Sequence, residues 1–123
     1  MKVAVNSKSA PTPIGPYSQG IDAGAVYCSG QIGLDPSTGN LVEGIVAQTN
    51  RVLSNLDAVL RAAGLGLNHV VRTTVFMIDL AEFPLMNEEY GKHFSPPFPA
   101  RSTVQVAALP KGARVEIDAV AVR

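Results

Sequence analysis

A chain of 123 residues forms one domain, 1–123, large enough to bury its own core, and 46% apolar residues with 16% charged exclude a disordered or fibrous protein. Ten basic and ten acidic side chains cancel to a formal net charge of zero, so no overall field draws the chain to nucleic acid or an anionic membrane. One cysteine, Cys28, excludes an internal disulfide framework, and no apolar run reaches the length of a signal peptide or a membrane span, the pattern of a cytoplasmic protein.

Met1 to Val5 suits a short edge strand. Ser7 to Pro16 holds three prolines and a glycine in ten residues, so it is irregular, and its end, Gly15-Pro16-Tyr17-Ser18-Gln19-Gly20, has the character of a binding loop. Pro16 stiffens the approach to Tyr17, whose ring either covers the core edge or offers a phenol to a ligand. Gln19 to Gly24 and Ala25 to Gly33 read as a hairpin turning at Asp22-Ala23-Gly24. Val26 and Cys28 alternate there against Tyr27 and Ser29, which makes Cys28 a small buried hydrophobe. Ser29 and Gly30 end the strand, and glycine there either permits a bulge or lets backbone approach a ligand.

Asp35 to Asn40 is a surface turn. Ile45, Thr49, Val52, Leu53, Leu56, Val59, Leu60 and Ala63 then mark one face of a helix ended by Gly64 and Gly66, with Arg51, Asn55 and Arg61 on its wet side. The Gly64-Leu65-Gly66 cluster follows a helix, whereas a dinucleotide fingerprint precedes one. Val70 to Asp79 is a β-branched central strand, with the preceding helix as its crossover. A second helix over about 80–93 carries Phe83, Met86, Tyr90 and Phe94 on one face, with Glu82 and Pro84 in its first turn. His69 and His93 have no clustered carboxylate or thiol, so no metal site is expected.

The last third combines strand patterning with two opposite charges. Ser102 to Ala107 and Arg114 to Val122 are β-branched runs separated by Leu109-Pro110-Lys111-Gly112-Ala113, and in the plainest reading Arg101 and Glu116 cap and flank a hairpin. Glu116 lies inside an apolar strand, where a carboxylate needs a partner, such as Arg114 or Arg72, or a chemical task. Two helices cover one face of a sheet, yet the last strand carries Val120 and Val122 on its second face, so a closed homo-oligomer is expected to cover it.

The run FPARSTVQVAALPKGARVEI, with IGPYSQG and SGQIG upstream, resembles the signature of the Rid/YjgF family of imine and enamine deaminases, and the resemblance extends from Ala10 to Arg123. It implies an α+β fold of the chorismate-mutase-like type: a single mixed β-sheet of five to six strands with two helices packed on one face. It further implies a homotrimer with sites between subunits and hydrolysis, without a cofactor, of short 2-imino and 2-enamino acids such as 2-aminoacrylate and 2-iminobutanoate to 2-oxo acids and ammonia. By this resemblance Arg101 orients the substrate carboxylate and Glu116 positions and deprotonates water. Tyr17 is a second hydrogen-bonding group, and Ser29, Gly30, Asn87 and Thr103 lie against the ligand. Thr103 departs from the cysteine that many members carry, which removes thiol chemistry at that position. The family's older naming suggests a ribonuclease or translation inhibitor, against which zero net charge and the lack of a basic stripe count. A third alternative is a ligand-binding module that uses the Arg101 pocket without turnover.

Overall fold

The computed structural model describes all residues from Met1 to Arg123. The elements in chain order are β1 (Val3–Val5), β2 (Gly20–Ala23), β3 (Ala25–Gln31), α1 (Ile45–Ala62), β4 (Val70–Met77), α2 (Phe83–Gly91), β5 (Ala100–Gln105) and β6 (Val115–Ala121). They form one six-stranded sheet in the order β1-β2-β3-β6-β4-β5, mixed because β5 runs parallel to β4 while the other neighbours are antiparallel. No helix is long and apolar enough to cross a membrane.

The β2–β3 hairpin turns at Gly24, whose φ of +96° is easy only for glycine. The irregular segment after β1 is anchored by a residue the sequence did not single out. Gln19, almost fully buried, accepts from the Ser7 N–H at 2.6 Å and donates to the Ser7 and Pro11 carbonyls at 3.0 and 2.9 Å. One side chain thus satisfies backbone groups that have no ladder to join.

The expected hairpin over 102–122 does not form. Both strands exist, but β4 lies between them, paired with β5 on one side and β6 on the other. The physical reason is burial: Val115, Ile117, Ala119 and Ala121 of β6 are all buried, an apolar content suited to the middle of a sheet. Insertion of β6 also separates β3 from β4, so α1 joins two parallel strands that are not neighbours. The adjacent parallel crossover is β4-α2-β5. The second helix begins later than its periodicity suggests, because a 3-10 turn over Leu80–Glu82 precedes Phe83, capped by Asp79 accepting from the Ala81 N–H.

Val52, Leu53, Leu56, Val59 and Leu60 of α1 pack with Val26, Val75, Val115 and Ile117 of the sheet in one cluster, all fully buried. Each such side chain contributes about 1.5–3 kcal/mol of transfer free energy. Cys28 belongs to this cluster, where burial pushes its thiol up to about 12. The opposite face of the sheet has no covering layer. Phe76 and Val120 are half-buried there and Tyr27 and Val104 exposed.

Asn55 corrects the wet side assigned to α1. It is fully buried and donates to the Leu34 carbonyl at 2.9 Å and the Ile32 carbonyl at 3.3 Å, while Arg51 donates to its oxygen at 3.1 Å. Past the end of β3 the chain pairs with 40–42 only through Gly33 and Asp35, which leaves the Leu34 carbonyl turned to the helix, where an amide on α1 meets it. Asn55→Ala leaves the Leu34 carbonyl buried and unsatisfied, while Ile32 keeps its bond from the Leu34 N–H, so denaturant unfolding should show a loss of about 1–3 kcal/mol.

Candidate active site

Glu116 is the half-buried carboxylate that the chain leaves unpaired. Arg114 pairs with Glu82 and Arg72 donates to the Ser102 hydroxyl at 2.9 Å, so neither arginine expected as a structural partner reaches it. Burial raises its pKa above the usual carboxylate range, and the charge of Asp118, two residues along on the same face, raises it further. The carboxylate lies against Gly30: a Cβ there would sit 2.5 Å from Glu116 Oε2 and 2.9 Å from Cδ. A side chain there would push the carboxylate out of this position, and the β3–β6 register shifts between Cys28 and Gln31, around this point.

Tyr17, Ser29, Gly30, Ile32, Leu34 and Glu116 line one cavity of about 360 Å³. The Tyr17 hydroxyl accepts from the Ile14 N–H at 3.4 Å, with the ring half exposed. Ser29 acts differently from the expectation that its strand end frees backbone for a ligand. Its N–H donates to the Gln19 carbonyl at 2.9 Å and its hydroxyl to the Ser18 carbonyl at 2.6 Å, which ties the Tyr17 loop to β3.

Arg101 forms a second, separate cluster. It is the one arginine of six with neither a hydrogen bond nor an ion pair. Its guanidinium carbon lies 4.7 Å from the centre of the Tyr90 ring and 5.5 Å from that of Phe83, both on α2. Asn87, Tyr90, Gly91, Phe98, Pro99 and Arg101 line a cleft of about 450 Å³. Thr103, further along β5, buries its hydroxyl oxygen without a hydrogen-bond partner.

Within one chain the two clusters cannot meet. Arg101 is in register with Thr73, whose side chain is buried under the helices, whereas Glu116 is in register with Phe76 on the uncovered face. Two inter-strand spacings and three register steps separate them, about 10 Å across the sheet and about 10 Å along it, and the side chains point to opposite faces. Of the expected site residues, Tyr17, Ser29, Gly30 and Glu116 are brought together on one side and Asn87 and Arg101 on the other. No group of three or more His, Cys, Asp or Glu side chains stands close enough to hold a metal ion.

Residues 7–123 match the family model described as Endoribonuclease L-PSP, and the chain belongs to this family, the Rid/YjgF proteins. Among curated relatives, Protein DfrA of Myxococcus xanthus is 55% identical over 97% of this chain and 94% of its own. The 2-iminobutanoate/2-iminopropanoate deaminase of Homo sapiens is 48% identical over 97% and 88%. The crystal structure of RidA from the Antarctic bacterium Psychrobacter sp. PAMC 21119 aligns with a TM-score of 0.96 at 43% identity, covering 98% of this chain and 99% of that one.

The raised pKa of Glu116 has a consequence for stability. The folded state holds this proton more tightly than the unfolded chain, so stability falls as pH rises from the ordinary glutamate value toward the raised one, and the deficit is complete above it. Glu116→Gln removes the deficit. The variant should melt at a higher temperature than wild type at pH 7, and the gap should close below about pH 4, where both glutamate forms are protonated. A constant gap across that range would contradict the burial of the charge.

Proposed function

We propose that this chain is a cytoplasmic deaminase that hydrolyses short 2-imino and 2-enamino acids to 2-oxo acids and ammonia, working as a homotrimer whose sites are shared between neighbouring subunits. One observation carries the reading: the fold leaves one guanidinium and one desolvated carboxylate without partners, on opposite faces of the same sheet. A second copy that laid its Arg101 cleft against the uncovered face would bring both onto one ligand. Phe76, Val104, Val120 and Tyr27 supply the apolar surface such a contact would bury.

The chemistry asked of these groups is modest. A planar guanidinium with all its N–H donors free can grip the substrate carboxylate through two parallel hydrogen bonds. The protonated imine carbon then takes water, and Glu116 accepts the proton that water loses as the C–O bond forms. The same carboxyl can return that proton to nitrogen, so that ammonia leaves as the C–N bond breaks, and the carboxylate then takes the proton of the remaining hydroxyl as the C=O bond of the 2-oxo acid forms. A carboxylate whose pKa burial raises suits both transfers better than an exposed one. Tyr17 stands in the same cavity as a second hydrogen-bonding group, Gly30 makes room for the carboxylate, and Asn87 and Thr103 sit near the carboxylate-binding end. Deaminase relatives at similar identity support the assignment. The ribonuclease name of the family model finds no support in the charge distribution, because net charge is zero and five of the six arginines are already engaged within the chain.

Ammonia release in a coupled threonine-dehydratase assay tests this reading. Arg101→Lys keeps the charge and loses the fork, which should cost about 1.5–3 kcal/mol in transition-state binding. Glu116→Gln should retain 2-oxo acid binding while turnover falls by about 10²–10⁴-fold. Full turnover in the Gln variant would remove Glu116 from the mechanism.

A further inference from the structure

Nothing in the proposed chemistry uses Tyr90, yet it is the residue on which Arg101 rests. Tyr90 is nearly fully buried, its ring centre 4.7 Å from the Arg101 guanidinium carbon and 4.7 Å from the Phe94 ring centre. Its hydroxyl shares a 2.8 Å hydrogen bond with Thr73 Oγ1, and Thr73 is the residue that faces Arg101 across the β4–β5 ladder. A closed circuit results. The backbone sets Arg101 beside Thr73, Thr73 holds the phenol, and the ring of that phenol supports the guanidinium.

Aromatic support differs in kind from a salt bridge. A carboxylate partner would occupy the N–H donors of the fork, whereas a ring occupies only the flat face and leaves every N–H in the plane available. The interaction also restrains a long side chain that otherwise samples many rotamers, and ordering it before the ligand arrives lowers the entropy lost on binding. Phe83, farther away at 5.5 Å, bounds the guanidinium from a second direction. The phenol is neutral near pH 7 and burial raises its pKa further, so no phenolate competes for the fork.

We propose that Tyr90 is a positioning residue for carboxylate recognition: anchored through Thr73, it fixes the plane of the Arg101 guanidinium so that its bidentate edge is presented to the ligand. The inference rests on the reading of Arg101 as the carboxylate-binding group, and it makes a phenol preferable to a plain phenyl at this position, since the hydroxyl is what locks the ring.

The test measures binding of 2-oxobutanoate by calorimetry, or by NMR titration where binding is weak, in full-length protein whose thermal melt confirms folding. Tyr90→Leu removes the support and should weaken binding by about tenfold. Tyr90→Phe and Thr73→Val each keep the ring and free it, and both should weaken binding by about two- to fivefold. In an Arg101→Ala background the Tyr90→Leu change should have no further effect, because Tyr90 acts through Arg101. A merely structural Tyr90 would instead lower stability and leave affinity unchanged in every folded variant, which would overturn the proposal. Equal losses from Tyr90→Leu with and without Arg101 would overturn it too. Wild-type protein that binds no 2-oxobutanoate would overturn the carboxylate reading itself, an outcome distinct from wild-type binding that is insensitive to Tyr90.

Discussion

Insertion of β6 between β3 and β4 is the constraint on which the rest of the structure depends. It follows from a strand with four buried residues on one face and half-buried side chains on the other, which no edge position could accommodate. Once β6 is central, Glu116 is held half-buried, in no ion pair with a cation of its own chain. The strand carrying Arg101 is displaced to the far edge, beyond β4. The raised pKa of Glu116 and the unpaired state of Arg101 are therefore two results of one topological choice.

Each charge is kept usable by a neighbour that makes no polar contact with it. Gly30 gives Glu116 space, since a single added carbon would meet its carboxylate. Tyr90 gives Arg101 a surface to lie on without taking up a donor. Gln19 and Ser29 perform the corresponding task for the loop that carries Tyr17, holding a proline-rich segment with side-chain hydrogen bonds. An unpaired half-buried charge lowers stability, and the large apolar cluster under α1 offsets that cost.

The sequence made the elements legible but not their neighbours. Hydrophobic spacing located both helices, the β2–β3 hairpin and the strand over 70–79, because those signals are local. It also predicted a pairing of β5 with β6, since a short Pro/Gly loop between two β-branched runs is the ordinary mark of a hairpin. Nothing local says that β4, upstream of both and separated from them by a helix, will take the place between them. Asn55 was misplaced for a similar reason: helical periodicity treats an amide as polar surface, while the strand-end carbonyls it satisfies are distant in sequence. Glu116 and Arg101 stood out as charges in apolar surroundings, and Tyr17 and Gly30 by their motifs. Tyr90 was legible only as a core residue, because its contact with Arg101 depends on the β4–β5 register.

The claim at the centre of this account is that Arg101 of one subunit and Glu116 of another complete a single site. Mixing inactive Arg101→Ala and Glu116→Gln chains tests it most directly, with mixed oligomers verified by native mass spectrometry. In randomly mixed cyclic trimers a site is whole only when both of its contributing chains supply the intact residue, so activity should recover to about one quarter of wild type. Verified mixed trimers that remain as inactive as either parent would contradict the shared site.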